Sequence, residues 1–178
     1  TVAFARDEGL TVKPIGAGHS FTAIGATNGV QVDLSAIDGV LGVDGNRVTL
    51  GAGTNLYQLP ALLQPHGLAL ANMGDIDRQT ISGATSTGTH GTGSAFGGLA
   101  TQIRAVTLVT SSGEVLKVSE TENPELLPAA VLGLGALGVV VDLTIECVPT
   151  FVLHAVERPE PLDTVLAEWS ERIANHDH

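Results

Sequence analysis

This chain has 178 residues, 43% of them hydrophobic but only 3% aromatic, so its core must be built from Val, Leu, Ile and Ala. Nineteen acidic residues against eight basic ones give a formal net charge of −11, which opposes nonspecific binding to nucleic acid or to an anionic membrane surface. The lone Cys147 excludes an internal disulfide, and the longest charge-free apolar stretch, 126–141, is broken by Pro128 and three glycines and is too short to span a bilayer comfortably.

Twenty-two glycines and many β-branched residues point to a strand-rich chain with tight turns. Residues 1–9 read as the end of a helix closed by Gly9, and Leu10–Ile15 as a strand running into a glycine-bounded loop. Val30–Leu34 is a second strand, and Val40–Val43 with Arg47–Leu50 makes a hairpin about Asp44-Gly45-Asn46. Thr54 is placed to cap a helix that runs to about His66 and ends at Gly67, with Pro60 an awkward residue inside it. The stretch Ser82–Gly98 is dense in Gly, Ser and Thr; lying between regular elements, it is expected to be a ligand-facing loop rather than a linker. Arg104–Thr110 and Glu114–Ser119 form another hairpin about Ser111-Ser112-Gly113, and Asn123-Pro124 starts a short helix. The clearest strand is Val139–Val148, where Val141, Leu143, Ile145 and Cys147 alternate with Asp142, Thr144 and Glu146, burying one face and wetting the other. After Pro149 the pattern changes: Phe151–Val156 reads as a strand, and Leu162, Val165, Leu166, Trp169 and Ile173 recur at helical spacing. That last apolar face has too little chain to cover it, so it is expected to start a second domain.

With so few basic residues, an anionic ligand would have to be held mainly by backbone N–H groups and hydroxyls. The loop Pro14-Ile15-Gly16-Ala17-Gly18-His19-Ser20-Phe21 is suited to this, because it follows a strand and can hold the His19 imidazole beside a bound ring. Taken alone, it is also what a tight turn with an exposed histidine looks like. Gly133-Leu134-Gly135-Ala136-Leu137-Gly138 matches G-x-G-x-x-G letter for letter, but the dinucleotide fingerprint follows a strand and opens a helix, and this segment does the reverse. It is read as a turn whose glycines allow close backbone approach. No Walker A loop, G-x-S-x-G elbow or H-E-x-x-H pair occurs, and no metal site is expected. His90, in Gly88–Gly93, either approaches a ligand or orients its own turn; Asp75 and Asp77 either cap a turn or touch a cofactor.

Four segments occur in a telling order: Ile15–Phe21, Gly67–Asp75 (GLALANMGD), Ile81–Gly93 (ISGATSTGTHGTG) and Leu134–Val140 (LGALGVV). Together they resemble the FAD-binding domain of the aldonolactone oxidoreductases, which include L-gulono-1,4-lactone oxidase or dehydrogenase, D-arabinono-1,4-lactone oxidase and alditol oxidase, in the vanillyl-alcohol-oxidase superfamily. The resemblance implies an α+β, PCMH-type FAD-binding domain of two α+β sub-domains, non-Rossmann, over residues 1–150. Residues 151–178 would then start a substrate or cap domain, and the segment before Thr1 that completes the first sub-domain would be largely absent.

The same resemblance assigns roles residue by residue. Pro14, Ile15, Gly16, Ala17, Gly18, His19 and Ser20 would form the first pyrophosphate-binding loop, with His19 joined covalently to the flavin 8α-methyl. Asp75, Thr80, Gly83, Ala84, Thr85 and Ser86 would line the pyrophosphate and flavin side. Thr89, His90 and Gly91 would run near the ring system, and Gly138, Val139 and Val140 would meet the adenine half through the backbone. Gly74 sits where the family gates oxygen, and glycine there favours an oxidase over a dehydrogenase. The implied function is oxidation of a sugar lactone by hydride transfer to covalent FAD, with oxygen or another acceptor completing the cycle in a cytoplasmic enzyme without a transmembrane segment. No catalytic acid or base falls within these residues. Two alternatives remain open at this point: alditol oxidase acting on sugar alcohols, and a non-catalytic β-rich structural module.

Overall fold

A computed structural model describes all of residues 1–178. The chain opens with α1 (Val2–Asp7), which stops where Gly9 turns left-handed at φ 66° and its N–H donates to the Arg6 carbonyl at 3.1 Å. Strand β1 (Val12–Ile15) pairs in parallel with β2 (Val30–Asp33), with Lys13 opposite Gln31. Parallel neighbours cannot be joined by a tight turn. Residues 16–29 must therefore cross from the end of one strand to the start of the other, and this crossover carries the first glycine loop and a 3₁₀ turn at Ala23–Gly25.

The larger sheet has five strands. Hairpin β3 (Val40–Asp44) and β4 (Arg47–Gly51) turns at Gly45, with a bulge near Leu41. The chain then makes a 3₁₀ turn (Leu56–Gln58), α2 (Leu59–Leu63), a second 3₁₀ turn closed by Gly67, and the short β5 (Leu68–Ala69). Next come α3 (Ile81–Ser86), the hairpin of β6 (Ile103–Val109) and β7 (Val115–Ser119), and α4 (Leu127–Val131). Strand β8 (Val139–Glu146) returns through the middle of the sheet, whose order is β3-β4-β8-β6-β7, antiparallel throughout. A two-residue strand, β9 (Val148–Pro149), pairs with β5, and α5 (Leu162–Ala167) and α6 (Trp169–Asn175) end the chain.

The alternation expected of 139–148 holds from Leu143 to Cys147, but a bulge opposite Thr107 and Leu108 leaves Val140 buried and Val141 only partly so, and the strand ends at Glu146; its central position in the sheet is the reason for its strength. Leu143 and Ile145 are buried with Val48, Leu50, Val106 and Leu108 on one face of the sheet, under Leu59 and Leu63 of α2, Ala84 of α3 and Val131 of α4. On the opposite face the Thr49 and Thr144 hydroxyls meet at 2.9 Å, and Arg104 pairs with Glu146 and Glu120. The result is two unequal α+β units: the small parallel pair with α1, and the five-stranded sheet with its helices on one side.

Three local expectations need correction. Thr54 is fully buried and does not cap the following helix: its hydroxyl donates to the Gly51 carbonyl at 2.7 Å and accepts from Gly39 N–H at 2.9 Å. The helical run begins after Asn55, where Gln58 Oε1 accepts the Asn55 N–H at 2.7 Å, and Pro60 sits in the first turn of α2, where its missing N–H costs nothing. Ser82–Gly98 is not all loop, because 82–86 belong to α3, whose Thr80 cap orders the segment. Phe151–Val156 forms no strand; residues 150–161 carry neither helix nor ladder. The tail helices do present an unpartnered apolar side, with Leu162, Leu166 and Trp169 all more than half exposed. No helix is long and apolar enough to cross a membrane.

Candidate functional site

The crossover from β1 to β2 forms one wall of a cleft of about 360 Å³ between the two units. Facing it are Ser82, Gly83, Ser86 and Thr87 of α3 and its end, and Leu134, Gly135, Gly138 and Val140 from the turn into β8. Gly16 is what lets the walls meet. A Cβ on Gly16 would land on the Thr80 hydroxyl, which itself accepts the Gly83 N–H at 3.3 Å as the cap of α3. The loop is thus seated on the first turn of α3 by an atom-to-atom fit that only glycine allows.

Beyond that contact the loop has unused donors. The backbone N–H groups of residues 16–20 donate to no protein acceptor, and Gly18 is left-handed at φ 71°. Four of these free amides, on Gly16, Gly18, His19 and Ser20, belong to residues on the cleft wall and form the kind of nest that binds anionic oxygens. His19 lines the same cleft, and neither of its ring nitrogens makes an internal hydrogen bond. No Asp or Glu lines the cleft, although the chain has 19 of them. An acid-free wall in a protein of charge −11 is the electrostatic complement of an anionic ligand. These features fit the diphosphate of a dinucleotide such as FAD.

The predicted site residues fall into four groups. Pro14, Ile15, Gly16, Gly18, His19, Ser20, Gly83, Ser86, Gly138 and Val140 line the cleft. Gly74, Thr89, His90 and Gly91 form a second cluster outside it: a Cβ on Gly74 would lie 3.0 Å from the Thr89 methyl and 3.3 Å from the His90 carbonyl oxygen. One on Gly91 would strike the Met73 carbonyl oxygen. Gln79, a cleft residue, donates to the Thr89 hydroxyl at 3.0 Å and so ties this cluster to the cleft. Thr80, Ala84, Thr85 and Val139 are buried and serve packing, with the Thr85 hydroxyl spent on the Ile81 and Ser82 carbonyls. Ala17 and Asp75 are exposed and lie off the cleft wall. His90 Nδ1 is engaged with the Gly91 carbonyl at 2.9 Å, in keeping with its turn-orienting alternative.

Sequence reasoning missed Lys13, Thr22, Ala23, Ile24, Gly25, Ala26, Gln31, Leu34, Gln79, Ser82, Thr87, Leu134 and Gly135 on the wall. Lys13 adds a full charge to a wall expected to hold an anion mainly through backbone N–H groups and hydroxyls. Strand alternation alone would have placed Lys13 on the same side as Ile15. Cys147 is 1% exposed, and burial pushes its thiol up to about 11, which makes it packing and not a nucleophile. No cluster of His, Cys, Asp and Glu suited to a metal ion is present.

A family profile described as an FAD binding domain matches residues 1–119, and the chain belongs to that family. Its α+β fold is that of the PCMH-type FAD-binding domain, and the module is related to that of the aldonolactone oxidoreductases. It is 41% identical over 179 aligned residues to an L-gulono-1,4-lactone dehydrogenase of Mycobacterium tuberculosis, covering 99% of this chain and 41% of that protein. The L-gulonolactone oxidase of Bos taurus matches with the same identity and coverage, and a D-arabinono-1,4-lactone oxidase of Eremothecium gossypii is 36% identical over 94% of this chain and 33% of its own length. Among solved structures, 6-hydroxy-D-nicotine oxidase from Arthrobacter nicotinovorans superposes with a TM-score of 0.72 at 30% identity, over 83% of this chain and 33% of that one. The chain spans about two fifths of the length of the curated lactone relatives. It is an FAD-binding module related to those of the sugar-lactone oxidases and dehydrogenases.

Proposed function

We propose that this module serves an enzyme that oxidises a sugar lactone of the L-gulono-1,4-lactone or D-arabinono-1,4-lactone type, with FAD anchored covalently at His19. The carrying observation is the cleft: four residues with free backbone donors, no carboxylate, and a histidine with unengaged ring nitrogens. When bound, the flavin supplies the two-electron acceptor. The chain's own residues bind and orient it. The 16–20 amides hold the diphosphate, the α3 side fixes the loop, and Gly138 and Val140 border the far wall. The lactone reading stands ahead of alditol oxidase because the relatives at 41% identity carry gulonolactone in their names.

The test is acid precipitation of the whole protein, read by flavin fluorescence. Flavin should remain with the wild-type pellet and move to the supernatant for His19→Ala. Flavin in the supernatant from wild type would refute the anchor, and a protein that takes up no FAD at all would refute the cofactor reading.

Oxidase behaviour is the second part of the proposal. The matched oxidase and dehydrogenase are equally identical to this chain, so overall similarity does not separate them. Gly74 does bear on it, since the space beside it is already bounded by Thr89 and His90. Gly74→Ala should slow reoxidation by oxygen more than reduction by lactone in stopped-flow traces; equal slowing would argue against a gate. We place the module's boundary near residue 150, where limited proteolysis should cut first.

A further inference from the structure

We propose that Lys13 is the cation that holds the anionic diphosphate of the bound dinucleotide and makes the cleft select phosphorylated over unphosphorylated ligands. This rests on the FAD reading above and adds a specificity residue to it.

The charge inventory points to Lys13. Of the eight basic residues, all six arginines lie within 4.0 Å of a carboxylate: Arg6, Arg47, Arg78, Arg104, Arg158 and Arg172. The two lysines, Lys13 and Lys117, have no acidic partner. In a chain with more than twice as many acids as bases, an unpaired cation is the exception. Lys117 is exposed on β7, away from the cleft, whereas Lys13 is partly buried and lines it.

Local structure holds Lys13 there. Directly paired residues of neighbouring strands project to the same face, so Lys13 and Gln31 stand together. The Gln31 amide is turned aside, donating to the Gly25 carbonyl at 3.0 Å, and Lys13 makes no internal hydrogen bond of its own. Lys13 thus lines an acid-free wall, and its ammonium has three donors and no acceptor supplied by the protein. The free amides of 16–20 on the same wall offer partial charges, and Lys13 adds the one full positive charge that does not depend on histidine protonation. An anion approaching a molecule of charge −11 is repelled everywhere except at such a wall.

The experiment is calorimetric titration of the whole protein, produced in a riboflavin-starved host so that the His19 bond never forms, with ADP and, separately, adenosine. Wild type should bind ADP more tightly than adenosine. Lys13→Gln should weaken ADP by about tenfold, about 1.4 kcal/mol, and leave adenosine unchanged. Lys13→Arg should restore most of the loss. Lys117→Gln, which removes the other unpaired lysine, should leave ADP binding as it was. Unchanged ADP affinity in Lys13→Gln would overturn the assignment. So would equal loss of adenosine, which would mean a structural role, or equal loss in Lys117→Gln, which would mean net charge alone. If wild type binds neither ADP nor FAD, the cofactor reading itself falls and takes Lys13 with it.

Discussion

At the scale of single residues, the cleft depends on a contact between two atoms far apart in sequence. Gly16 has no Cβ because the Thr80 hydroxyl occupies that place. Gly16→Ala should therefore destabilise the protein by about 1–3 kcal/mol in chemical denaturation, as overpacking does. Thr80→Ala removes a helix cap and should cost about 1 kcal/mol. The double variant should cost less than the sum, because each change removes the other's clash or cap. Strict additivity would show that loop and helix do not press on each other. The glycine and threonine are both plain in the sequence, but nothing local says that they meet. The motif is visible in the sequence; its reason is a tertiary contact.

Among the elements, the sheet was more legible than the helices. Both hairpins and the strand at 139–146 follow from alternation and turn residues, since pleating exposes every second side chain whatever lies beyond. Short helices carry no such redundancy. In the 54–67 segment the expected cap, Thr54, is drawn inward to bridge Gly51 and Gly39, and the neighbouring Asn55 opens the helix instead. Thr54→Val keeps the shape but leaves the part-buried Gly39 N–H without an acceptor, while the Gly51 carbonyl keeps the Thr54 N–H, so it should cost about 1–3 kcal/mol. Asn55→Ala should cost about 1 kcal/mol at most, as for an ordinary helix start. A reversed order in urea titrations would restore Thr54 to the capping role.

For the whole molecule, the acidic balance is managed by placement. Arg104 bridges β6 to Glu146 of β8 and to Glu120, and the Arg104 hydrogen bond and charge hold the Glu146 carboxyl below the usual carboxylate range. A depressed folded pKa stabilises the fold above the unfolded value, about 4.3, and that share is lost as pH falls through it toward the folded value. Melting temperature should thus decline below about pH 5 and decline less steeply in Glu146→Gln. Some acid sensitivity should remain, because Ser35 hydrogen bonds depress Asp33 and Arg172 with Arg158 depresses Glu160 in the same direction. An identical slope in wild type and Glu146→Gln would assign the acid loss elsewhere. The same placement leaves the cleft wall free of acids while the rest of the surface carries them. The sequence alone determined the glycine motifs and their order, the strands of the main sheet and of the parallel pair, and the family they resemble, because these depend on residue type and on periods of two or a few residues. Only the tertiary structure decided which motif residues share a wall. The β1–β2 crossover, the seat on α3 and the return of β8 brought residues 13–31, 79–87 and 134–140 together, and they left Asp75 outside and Thr85 in the core. Those contacts join segments dozens of residues apart, and packing against a common core sets them, not any local pattern. By that route a histidine loop of ordinary appearance gained an acid-free wall and the partnerless Lys13.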